Sequence, residues 1–142
     1  MMRDKHNNLK AANGTHAVAI GTSGTGKTTA AVDLNGYSGV EFFIDYGAVT
    51  STTAVFTVLM TEADATNASF TSVADQDLLG TETDAGLGAG TRTDGSTKNV
   101  TKKVGYKGNK RYVKVKVSSL GTAGTPIAIL PILHSPRHFP VS

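Results

Sequence analysis

Eight consecutive residues, Gly21-Thr22-Ser23-Gly24-Thr25-Gly26-Lys27-Thr28, satisfy the pattern G-x-x-x-x-G-K-[ST]. In a phosphate-binding loop, backbone N–H groups cradle the phosphates, the lysine reaches the β and γ oxygens, and the hydroxyl binds Mg²⁺. That chemistry needs the loop to run into a helix whose N-terminal N–H groups and dipole face the phosphate. The only stretch available for a helix is TTAAVDL, and the Asn35-Gly36 turn signal stops it after two turns. The VEFFID run ending in Asp45 could pose as a Walker-B strand, but the intervening insert is barely the length of a parallel crossover and carries a turn in its middle. The string is therefore expected to be a hairpin loop and not a nucleotide site.

The other chemistry-bearing residues are weaker. His134 and His138 share a four-residue spacing, yet Pro136 between them breaks the helix that would present both to one metal. His6 and His16 have no ligand-like neighbour. The pairs Asp75/Asp77 and Glu82/Asp84 could serve acid/base work or calcium, but they lack the D-x-D-x-D-G loop and sit in a polar stretch, so they read as solvated acids. No catalytic residue, metal or cofactor is expected, and the chain reads as non-enzymatic. Between Lys98 and Lys116 lie eight basic residues and no acid, with Tyr106 and Tyr112 as stacking faces, a pattern that could track a phosphate backbone or an acidic protein surface. Glu62 to Asp94 nearly cancels it with seven acids and one arginine, so nucleic acid is not the expected partner.

What must position these residues is a single domain of 142 residues, large enough for a core without disulfides or metal. There is no cysteine, so stability has to come from packing or assembly, and the redox compartment is left open. Hydrophobic residues make up 39% and charged residues 18%, with 16 glycines, which favours strands and turns over long charged helices. The polar start MMRDKHNNLKAANG has no apolar signal-like region, and no later stretch has the length of a membrane span, so a soluble, unprocessed chain with no membrane partner is expected.

The strand signals are local. His16–Ile20 is a short strand candidate and TTAAVDL alternates well enough for another. VEFFIDY (Val40 to Tyr46) and AVFTVLMTEA (from Ala54) read as a buried pair of central strands. Asp64 to Asp77 reads as a loop with one short helical turn, and 81–97 as a long flexible loop too poor in large apolar residues to bury much. After a turn at Lys107–Lys110, Val113, Val115 and Val117 alternate with Tyr112, Lys114 and Lys116, a strand with a buried valine face and an exposed lysine face. Pro126 to Leu133 is apolar on both faces, and Pro131, which cannot donate to a ladder, demands a bulge or an edge. Seven or eight short strands at this spacing predict an all-β, antiparallel β-sandwich, jelly-roll-like, with residues 1–14 an N-terminal arm, 15–133 the domain and 134–142 an extended C-terminal tail.

The segments His6-Asn7-Asn8, DLNGYSGVEFFIDYGAVT (Asp33 to Thr50), VADQDLLGTE (Val73 to Glu82), VTKKVGYKGNKRYVKVKV (Val100 to Val117) and SPRHFPV (Ser135 to Val141) resemble the small decoration, or cement, proteins encoded among the head genes of tailed bacteriophages. The resemblance implies a sandwich that sits as a homodimer or homotrimer on the outer capsid, bound to the major capsid protein and stabilising capsomer contacts. It implies synthesis in the host bacterial cytoplasm and residence in the virion. The contacts it suggests are His6, Asn7 and Asn8 in the arm and Arg137, His138 and Phe139 in the tail, with Phe139 an apolar anchor and Arg137 a bidentate donor. The alternative is that both ends pack on their own domain. Two other functions stay open at this point: a head–tail completion or tail structural protein, and a P-loop nucleotide binder through Gly21–Thr28.

Overall fold

Alternation with period two dominates the long strands, and each buries one row of side chains against the other sheet. The computed structural model describes residues 5–20, 26–49, 51–92, 98–121 and 125–137, with side chains except at 19–20. In chain order the strands are β1 (Lys10–Ala11), β2 (Thr15–Ile20), β3 (Gly26–Thr28), β4 (Val32–Asp33), β5 (Tyr37–Tyr46), β6 (Phe56–Ala63), β7 (Thr71–Ser72), β8 (Leu78–Leu79), β9 (Val100–Tyr106), β10 (Tyr112–Ser119) and β11 (Thr125–Pro136). One four-residue helix, α1 (Glu82–Ala85), lies between β8 and β9.

Sheet A has the order β1-β11-β5-β9-β8, with β2 also on β11; sheet B has the order β3-β10-β6-β7, with β4 also on β10. All pairings between these strands are antiparallel. The long strands β5, β6, β9, β10 and β11 alternate between sheets A and B as the chain proceeds, so the fold is an all-β, jelly-roll-like sandwich. Val40, Phe42, Ile44 and Tyr46 of β5, Val104 and Tyr106 of β9, and Ile127, Ile129 and Leu133 of β11 meet Phe56, Val58 and Met60 of β6 and Val113, Val115 and Val117 of β10. Each such side chain withdrawn from water stabilises the fold by about 1.5–3 kcal/mol before entropy is counted.

VEFFIDY and AVFTVLM are central strands, but they do not pair with each other. β5 lies between β11 and β9 in sheet A, and β6 between β10 and β7 in sheet B. They meet across the core, where the rings of Tyr46 and Phe56 stand 5.6 Å apart and tilted by 50°. Two apolar runs adjacent in sequence can pair edge to edge or stack face to face, and alternation does not distinguish the two.

The segment 81–97 also differs from expectation over its first twelve residues. Thr81 caps α1, its Oγ1 accepting from Asp84 N at 3.0 Å. Ala85 and Leu87 are buried in the core, and Leu87 exchanges backbone hydrogen bonds with Phe56. Residues 93–97 lie outside the described residues.

Pro131 occupies neither an edge strand nor the position of the register shift, which falls between Ile127 and Ile129. β11 is interior, with β5 on one side and β1 and β2 on the other. The Pro131 carbonyl accepts from Ala12 N at 2.9 Å on the β1/β2 side, and its nitrogen faces the same side, so the missing donor falls at the break between β1 and β2. Gly14 makes that break possible: a Cβ there would stand 1.8 Å from Ile129 O and 2.8 Å from Pro131 Cδ.

The expected ends also move. β1 begins at Lys10, inside the arm assigned to 1–14, and pairs with Leu133 and Ile132. β11 runs past 133 to Pro136, opposite Tyr37. From Lys10, and up to Pro136, the ends pack on their own domain.

Candidate functional site

Sheet register brings the two chain ends to one corner. β1 runs antiparallel to β11 with Lys10 opposite Leu133, so the chain preceding Lys10 travels toward Pro136 and Arg137. There His6–Asn8 forms a 3-10 turn against β11, closed by Asn8 N donating to Lys5 O at 3.1 Å. His6 and Asn7 are exposed and Asn8 half-buried. Arg137, also exposed, donates its backbone N–H to Gly36 O at 2.8 Å. Gly36 adopts φ +86° in the turn Leu34–Tyr37, a conformation that glycine takes without strain, and Tyr37 N donates to Leu34 O at 2.9 Å across it.

The corner is strongly polar. Arg111 clamps Asp33 with both Nε and Nη2, at 2.9 and 2.8 Å, and its guanidinium stands 5.1 Å over the Tyr112 ring. This clamp, more than any other cause, holds the Asp33 carboxyl below the usual carboxylate range, against a smaller opposing effect of burial. Lys110 Nζ donates to Asp64 at 2.7 Å, and that hydrogen bond raises the lysine's pKa. Between the Leu34–Tyr37 turn and the Gly108–Lys110 turn lies a hollow of about 160 Å³ with Arg137 at its rim. A neighbouring hollow of about 400 Å³, lined in part by Lys10, Asn13, Asp33 and Tyr37, opens between the sheets.

Of the residues expected to make contacts, His6, Asn7, Asn8 and Arg137 thus share one end of sheet A. His138 and Phe139 lie outside the described residues. Sequence reading located both turns of the corner but missed the Asp33–Arg111 and Asp64–Lys110 pairs, which are 78 and 46 residues apart and carry no local signal.

The last three residues of the phosphate-loop string form a strand and not the start of a helix. Residues 21–25 lie outside the described residues, but Gly26, Lys27 and Thr28 form the edge strand β3, opposite Ser118, Val117 and Lys116 of β10. The following Thr29 continues the pairing: its N–H donates to Val115 O at 2.9 Å and its Oγ1 accepts from Val115 N at 3.1 Å. No helix begins at Lys27. Its register opposite core-facing Val117 puts Lys27 on the inward side of an edge strand, where a charge discourages pairing with another chain. The expected strand over TTAAVDL is broken in two: Thr28 ends β3, and Val32–Asp33 forms β4.

The remaining candidates have structural roles. Glu82 accepts the Met60 N–H at 2.5 Å, and Asp84 accepts from Thr81 Oγ1 at 2.7 Å. Asp75 and Asp77 lie in a 3-10 turn. His134 contacts Ser135 Oγ at 3.0 Å and lies over Gly39. Among the described residues no group of three or more His, Asp and Glu side chains converges as metal ligands, and no helix is long and apolar enough to cross a membrane. On the outer face of sheet B, Lys114 Nζ stands 3.9 Å from the Phe70 ring centroid, with Lys116 beside it in the same row.

No family model matches the sequence, and no curated protein matches it. Among solved structures the chain is similar in fold to the PBSX exported protein XepA, with 11% identity and a TM-score of 0.55. It covers 97% of this chain and 40% of that one. It is also similar to the CBM22-1-GH10 modules of Clostridium thermocellum endo-1,4-beta-D-xylanase 10B, with 14% identity and a TM-score of 0.52, covering 94% of this chain and 25% of that one. The chain thus spans well under half the length of either, and at these identities the likeness is one of β-sandwich fold.

Proposed function

We propose that the protein is a non-enzymatic structural component of a tailed-phage head, a decoration or cement protein that binds the major capsid protein on the outer surface and stabilises capsomer contacts. It is made in the host bacterial cytoplasm and resides in the virion. The observation that supports this most is the corner at which both chain ends leave sheet A: His6–Asn8 and Arg137 are presented together on a rigid sandwich. Two short arms anchored at one point can engage a neighbouring surface at once, and the second engagement is then intramolecular. The sandwich and this corner are already ordered, so little conformational entropy of the domain is lost on binding.

The test is binding of the purified protein to expanded heads that lack it, followed by sedimentation and quantitative gel analysis. Saturable binding in many copies per head is expected, weakened at least tenfold in the triple variant His6→Ala, Asn8→Ala, Arg137→Ala. Binding of only a few copies, at a single vertex, would replace this reading with a head–tail completion protein, and no binding would remove it.

A further inference from the structure

The two outer faces of the sandwich differ in chemistry in a complementary way. On the outer face of sheet A, Leu130 of β11 lies directly opposite Phe43 of β5, with Ile132 and Ala128 in the same row of β11. Leu130 is 46% exposed, and Phe43 and Ile132 are half-buried. Flanking Phe43 along β5 are Glu41 and Asp45. Thr101 Oγ1 donates to Asp45 at 3.2 Å, and Lys103, directly opposite Phe43 on β9, stands 3.9 Å from Glu41. The face is apolar at its centre with carboxylates beside it.

On the outer face of sheet B, Leu59 of β6 is 40% exposed and lies directly opposite Lys116 of β10, with Lys114 opposite Thr61 one row on. Hydroxyls surround them: Thr28 opposite Lys116, Ser118 opposite Thr57, and Ser72 opposite Thr61. The acid at the end of this face, Asp33, is held by Arg111. The face is Leu59 among lysines and hydroxyls, with the Phe70 ring beside Lys114.

We infer that the outer face of sheet A in one copy docks on the outer face of sheet B in the next, with Leu130 and Phe43 against Leu59 and with Glu41 and Asp45 toward Lys114 and Lys116. Neither face suits itself. Pairing sheet A faces would bring four carboxylates together against only the two Lys103 side chains, and pairing sheet B faces would bring four lysines together, each costing net like-charge repulsion around a small apolar centre. Opposed unlike faces bury the apolar side chains while placing opposite charges near one another. Such a contact is heterologous, so successive copies close into a ring or continue as a filament according to the rotation between them. It draws on the face chemistry alone and does not depend on binding to a capsid.

The experiment is sedimentation velocity of the full chain over a hundredfold concentration range, with two single variants. Leu130→Lys spoils the sheet A face and Lys116→Glu spoils the sheet B face; Asp45→Lys and Lys114→Glu form a second pair, and circular dichroism checks that each variant keeps its strand signal. The wild type should self-associate with rising concentration, and each variant alone should stay monomeric, its dissociation constant raised at least tenfold. An equimolar mixture of Leu130→Lys with Lys116→Glu should form a one-to-one dimer, because each supplies the face the other lacks. A wild type that is monomeric throughout, a variant that still self-associates, or a mixture that stays monomeric would each overturn the inference.

Discussion

The phenol of Tyr106 on β9 donates to the carboxylate of Glu62 on β6, joining sheet A to sheet B through the core. The same hydroxyl oxygen accepts the Lys110 N–H at 2.9 Å, so the turn between β9 and β10 is fixed to this link. Tyr106→Phe leaves the ring packing in place but strips a partner from a half-buried carboxylate and from a backbone donor. A loss of about 1–3 kcal/mol is expected in urea unfolding at neutral pH. A midpoint unchanged from wild type would show that water replaces the hydroxyl without cost.

The same tyrosine, with Tyr46, makes stability fall in alkali. Burial raises both phenol pKa values above 10.0, and in Tyr106 the hydrogen bond to Glu62 raises it further. Because the folded pKa lies above the unfolded one, the contribution is complete below pH 10 and is lost as pH rises beyond it. Melting temperatures measured from pH 8 to 11.5 should decline above pH 10 in the wild type and more gently in Tyr46→Phe/Tyr106→Phe. Parallel declines would assign the alkaline loss to other groups.

Leu87 is the residue by which the segment after α1 enters the core. Leu87→Ala should cost about 2–4 kcal/mol, as truncation of a buried leucine does. Truncation in a loop that merely covers the surface would cost less than about 0.5 kcal/mol. Equilibrium unfolding of this one variant separates the two.

At Gly14 a methyl group has no room beside Ile129 O and Pro131 Cδ, whereas at Gly88 nothing lies within 4 Å of the added carbon. Gly14→Ala should therefore lose about 1–3 kcal/mol, by forcing β1 and β2 away from β11. Gly88→Ala should stay within about 0.5 kcal/mol of wild type. The comparison is made by thermal unfolding of both variants side by side, and equal losses would refute the close approach at Pro131.

Lys27 is the middle residue of an edge strand and does not start a helix. Lys27→Ala is expected to leave stability within about 0.5 kcal/mol and to change no heat signal on titration with ATP and Mg²⁺. Saturable heat that disappears in Lys27→Ala would restore a nucleotide site to the string at Gly21–Thr28.

Local pattern decided much of this protein. The alternation of Val113, Val115 and Val117 with Lys114 and Lys116 is a strand with one dry face in the sequence and in the fold alike, because a pleated strand has no other way to segregate two residue types. Asn35-Gly36 announced its turn for a similar reason, since few residues besides glycine take φ +86° without strain. The tertiary structure alone decided which strands share a sheet: VEFFIDY and AVFTVLM bury identical-looking rows whether paired side by side or stacked, and connectivity across the core settled it. It alone brought His6–Asn8 beside Arg137 and Asp33 onto Arg111, because contacts between distant residues depend on register and not on neighbours in sequence. It also turned the letters G-K-T into an edge strand, for the energy of pairing with β10 and burying Thr29 is a property of the assembled sheet.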